Sequence, residues 1–167
     1  MENNIKNNKL IFFLSFYNSI PITSGASNIS TNFYNFCPYK KKFFLINQKK
    51  NFNNKNIFNF RPLSNRPIFK FLVLFKYLIK LFFEILKNKP NTIIFEGASW
   101  VGYSYFFLII IKFFFGNIKF IYHSHNIDYE IRRGNFFTGK ITFYLEKFLI
   151  NKVDIFTVVS EEDKKKI

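Results

Sequence analysis

Apolar and polar positions fall in blocks along this chain. Residues 9–17, KLIFFLSFY, are almost continuously apolar, the pattern of a strand buried on both faces. The polar stretch NSIPITSGAS, 18–27, predicts a loop with Pro21 and Gly25, and a short helix is predicted over 28–36. Residues 42–47 predict a second strand, and an Asn-rich irregular stretch over 48–65 holds a third near 57–60. A long helix is predicted over 68–87, ended by Pro90. Four of its charges, Lys76, Lys80, Glu84 and Lys87, recur every three or four residues and form one stripe on a mostly apolar circumference. A strand over 92–95, a helix over about 100–115 stopped by Gly116, and a strand over 118–123 come next. A polar loop, 124–138, leads to a helix over 140–151 and a last strand over 154–159. Ser160 then has the character of an N-cap, with Glu161 and Glu162 in the first turn and Asp163 at its third position.

Strands alternating with helices predict an α/β fold: a doubly wound, mainly parallel, Rossmann-like sheet covered on both faces. Residues 1–8, MENNIKNN, are expected to be a flexible terminus and 9–167 one domain. The polar loops 18–27, 97–99, 124–138 and 160–163 each follow a strand. In such a sheet they gather beyond the carboxyl ends of the strands, where ligands bind.

Composition narrows the partners. The chain has 25 Lys+Arg against 10 Asp+Glu, a formal charge of +15, which favours an anionic partner. Most of the excess is Lys set among Asn, Ile and Phe, residues with AT-rich codons, so base composition is an equal explanation. No nucleic-acid-binding module is recognisable, and nucleic acid is not an expected partner. The long helix admits two readings, a cover for the core or a surface helix on an anionic membrane. The single cysteine, Cys37, fits a reducing compartment. Leu10–Phe16 lacks the marks of a secretory signal, and no apolar run reaches the ~20 residues that cross a bilayer. The expected location is cytoplasmic, with a peripheral position on the membrane as an extension.

The chain's varied polar chemistry is gathered in FIYHSHNIDYE, 120–130, which holds both histidines, His123 and His125. The H-x-H spacing turns both rings to one face of a strand. With Asp128 or Glu130 they could hold a metal, though no further ligand cluster can be paired with them from the sequence, and none is assigned. A structural role and a metal-free site stay open beside it. The loop Pro21–Ser27 has one glycine and neither G-x-G-x-x-G nor a P-loop pattern.

These motifs carry a resemblance. FIYHSHNIDYEIRR (120–133), Glu146 eight residues before Asp154, and DIFTVVSEED (154–163) resemble the N-terminal domain of retaining family 4 glycosyltransferases, which have the two-domain GT-B fold. The resemblance implies transfer of a sugar from a nucleotide-sugar donor to a glycan or lipid-linked acceptor in cell-envelope polysaccharide synthesis. It implies His125 as the catalytic residue facing the interdomain cleft, with Ser24, Gly25, Asn126, Arg133 and Ser160 binding substrate. It implies no cofactor beyond the donor as co-substrate. The family's C-terminal domain and its E-x7-E pair have no counterpart here, so the chain alone is expected to be inactive, with a separately encoded C-terminal domain as a partner. Two other classes remain: a non-catalytic membrane-associated binding module or relic, and an H-x-H metallohydrolase.

Overall fold

The computed structural model describes residues 9–165 apart from 18, 21, 47–53, 63–66, 98 and 129–133. Six strands form one sheet: β1 (Leu10–Ser15), β2 (Lys40–Ile46), β3 (Ile57–Phe60), β4 (Thr92–Gly97), β5 (Lys119–Ser124) and β6 (Ile155–Val158). Every pairing is parallel, in the order β3-β2-β1-β4-β5-β6. The helices are α1 (Gly25–Phe36), α2 (Pro67–Asn88), α3 (Val101–Phe114), α4 (Phe136–Lys152) and the single turn α5 (Glu161–Lys164). This is the doubly wound α/β architecture that the alternation predicts. Strand order reverses between β1 and β4.

The continuous apolar runs follow from burial on both faces. From β1, Phe12 and Leu14 join Phe44, Phe95, Phe120 and Tyr122 in a core beneath α2, α3 and α4. Ile11 and Phe13 point the other way, to Phe43, Leu45, Ile94 and Tyr34 of α1. Each fully buried aliphatic or Phe side chain contributes roughly 1.5–3 kcal/mol, so the central strands hold the sheet together. Toward the edge cover is thinner: β6 alternates exposed Ile155 and Thr157 with half-buried Phe156 and Val158.

Element boundaries differ where caps and pairing intervene. The first helix begins at Gly25, not 28, because Ser24 and Ser27 form a capping box. Strand β4 runs on to Gly97 because Glu96 and Gly97 pair with His123 and Ser124. Helix α4 begins at Phe136 because Asn135 caps it, its side chain accepting from the Thr138 N–H at 3.2 Å. In α2, Val73, Tyr77, Leu81 and Ile85 face the sheet. The predicted charged stripe is split: Glu84 is buried and accepts from Lys42 of β2 at 2.6 Å and from Lys80 at 2.9 Å, whereas Lys76, Lys80 and Lys87 are exposed. Among the described residues no helix is long and apolar enough to cross a membrane.

Candidate functional site

The carboxyl edge of the sheet gathers the polar side chains that the sequence scatters. Glu96 and His123 are register partners at the ends of β4 and β5. His125, just past β5, is 3% exposed and Glu96 is fully buried. His125 Nε2 lies 2.8 Å from Glu96 Oε2, and Ser30 of α1 donates to the same oxygen at 2.9 Å. His123 and His125 stand edge to face, 5.2 Å between ring centres, on the α1 side. His123 Nδ1 is 2.8 Å from Thr157 Oγ1 of β6, and Phe33 of α1 packs on the ring. Burial holds the His123 pKa below its ordinary value; Glu96 opposes this and His125 reinforces it. One ligand atom from each of Glu96, His123 and His125 lies within 4.8 Å of the others. Burial, reinforced by Glu146 and Asp128, pushes the neighbouring Tyr122 phenol well above its ordinary value, so it stays protonated.

The predicted site residues lie as follows. Ser24 is the N-cap of α1, its Oγ accepting from Ser27 N and lying 3.1 Å from Tyr17 Oη. Gly25 is the first helical residue, with open space where a Cβ would stand. Asn126 is exposed, and its carbonyl accepts from Ser124 Oγ at 2.6 Å. Ser160 is half-buried before α5. Arg133 lies outside the described residues. The structure thus brings His125 to α1, the helix that Ser24 caps. Glu96 and Ser30 escaped the sequence reading. The available signal was an acidic residue closing the apolar run Ile93–Phe95, where burial demands a partner.

A second feature lies at the same edge. A cavity of about 320 Å³ is lined by Phe16 and Tyr17 after β1, Ile46 of β2, Pro62 after β3, Lys70, Val73 and Leu74 of α2, and Tyr103 of α3. Its wall holds three aromatic rings and one ammonium group, with no carboxylate among the lining residues.

No family model and no curated protein matches the chain. Solved structures do. Two structures of TubZ from Clostridium botulinum phage c-st are similar to it. One, truncated at its C-terminal tail, superposes with a TM-score of 0.54 at 14% identity, over 90% of this chain and 52% of that protein. The other gives 0.53 at 14%, over 96% and 55%. The likeness establishes the fold. The chain spans about half the length of the TubZ structures it matches.

These findings correct the family 4 glycosyltransferase assignment and all that hung on it: GT-B membership, sugar transfer, the nucleotide-sugar donor, the glycan or glycolipid acceptor, the anionic membrane surface and the complementing C-terminal domain. The residues that carried the resemblance serve the fold here. Asp154 accepts from the Phe120 N–H at 2.7 Å, Glu146 from the Asp128 N–H at 3.0 Å, and Asp128 from the Val101 N–H at 2.8 Å. The last satisfies an orphan donor at the start of α3, where Trp100 supplies no side-chain cap. Acidic residues that tie strand ends and helix starts together suit a parallel sheet of any function. The long helix also departs from the predicted basic stripe, since Glu84 turns inward to pair with Lys42 and Lys80.

Proposed function

We propose that this chain is a ligand-binding α/β domain that takes a nucleotide at the carboxyl edge of its sheet, in the cavity between β1, β2, α2 and α3. The cavity lining carries the reading: Phe16, Tyr17 and Tyr103 offer ring faces to a planar base, and Lys70 offers a cation to a phosphate. Three observations support it. The volume of about 320 Å³ falls within the range of small-molecule sites. The cavity opens near the reversal of strand order, where doubly wound sheets bind ligands. The charge of +15 draws anions in from a distance. A cytoplasmic location belongs to the same proposal, since the single Cys37 needs no oxidising compartment.

The chain's one tryptophan makes the test direct. Trp100 packs edge to face on Tyr103, 5.4 Å between ring centres, so its fluorescence reports on the cavity wall. Titration with GTP and with ATP should change the emission saturably, and Lys70→Glu should weaken binding at least tenfold. Phosphate alone should not reproduce the effect. No saturable change with either nucleotide up to millimolar concentration, or equal affinity in Lys70→Glu, would sink the reading.

A further inference from the structure

One contacting pair of buried side chains carries two polar atoms without partners. Glu96 Oε1 and His125 Nδ1 are both buried, and neither has a hydrogen-bond partner. Buried polar groups are almost always partnered, because leaving them unsatisfied is costly. Their other atoms meet at 2.8 Å, and His123, the register partner of Glu96, stands beside them. We propose that Glu96, His123 and His125 form a binding site for a divalent transition-metal ion. This inference does not depend on the nucleotide reading: the cavity is walled by α2 and α3, whereas these three residues lie on the α1 side of the sheet.

Two imidazoles and one carboxylate are a donor set that suits zinc and its neighbours in the first transition row. The ligand atoms lie within 4.8 Å of one another. Tetrahedral zinc with bonds of ~2.0–2.1 Å sets its ligands about 3.3 Å apart, so the site closes around an ion by a small movement. His123 is half-buried and so the less enclosed of the two imidazoles.

The surroundings already orient the ligands. Ser30 Oγ holds the Glu96 carboxylate, and Thr157 Oγ1 holds His123 Nδ1. When Nδ1–H donates to the threonine, the His123 lone pair lies on Nε2, the tautomer a metal requires. Thr157, beside His123, is exposed, so that side of the cluster meets solvent, the source of a water ligand. The rival is a closed polar pair of Glu96 and His125 that needs no ion.

Titration of the full chain with cobalt(II), in a Cys37→Ser background that removes the one thiol, separates the two. Visible absorption should saturate at one cobalt per chain, and zinc should displace it. Zinc should also raise the Tm of the chain. His123→Ala should retain the far-UV CD spectrum and bind at least tenfold more weakly. His123→Gln keeps the side-chain bulk and should lose affinity alike if the alanine variant proves unstable. Absence of one-to-one binding, or unchanged affinity in the His123 variants, would overturn the site in favour of the closed pair.

Discussion

At the scale of single residues, the buried carboxylates of Glu84, Asp128 and Glu146 each accept from a named donor. Glu84 is instructive. Burial raises its pKa, but hydrogen bonds from Lys42 and Lys80, and their charges, outweigh that and leave it below its ordinary 4.5. A carboxyl whose folded pKa is depressed stabilises the fold above its unfolded pKa. It loses that contribution as pH falls through the folded value. Glu84→Gln should therefore lower stability by roughly 1 kcal/mol at neutral pH. In thermal melts the gap from the parent should shrink steadily as pH drops below 4.5. A gap that stays constant with pH would mean the carboxylate is not what stabilises. Gly97 makes a second case. A Cβ there would lie 2.7 Å from Tyr122 Oη and 3.0 Å from the His123 carbonyl. Tyr122 is fully buried and cannot swing aside, so Gly97→Ala should cost about 1–3 kcal/mol in urea unfolding.

At the scale of elements, strand and helix order was legible because apolar runs and helical stripes are local signals. The third strand, 57–60, appears as predicted. Boundaries were less legible because caps decide them. Nothing in SGAS distinguishes a loop from a first helical turn until Ser24 and Ser27 are seen to exchange hydrogen bonds. Ser24→Ala should cost about 0.5–2 kcal/mol through that cap. Helix α2 ends differently, with Lys89 in the left-handed region at φ 48°. That conformation costs an L-residue about 1–2 kcal/mol, and glycine adopts it freely. Lys89→Gly should raise stability by about 0.5–1 kcal/mol, partly offset by backbone entropy. A lower Tm in that variant would show that the lysine side chain contributes more than its backbone costs. The histidine pair was legible from H-x-H spacing, and both rings do reach one side of the sheet. Their carboxylate was not, because Glu96 is 27 and 29 residues away and only the β4–β5 register unites them.

At the scale of the molecule, the helical layer presents an unusually apolar outer face. Phe71, Phe75 and Phe83 of α2, Phe113 of α3 and Phe136 and Phe137 of α4 are all more than half exposed. Charge repulsion between copies at +15 opposes their association, and salt shortens its range. Solubility should therefore fall as sodium chloride rises from about 50 to about 500 mM, over which the Debye length shortens roughly threefold. Motif resemblance failed at this scale for a physical reason. Asp154, Glu146 and Asp128 are spent on backbone donors, work that any parallel sheet needs and that identifies no chemistry.

The central claim is that the carboxyl edge beside α2 and α3 takes a nucleotide, and NMR mapping of a GTP and ATP titration tests it most directly. The account predicts saturable shifts confined to Phe16, Tyr17, Ile46, Lys70, Val73, Leu74 and Tyr103 and the adjoining Trp100, with the β6 signals unmoved. Shifts spread over the lysines of the whole surface, or none at all, would contradict it.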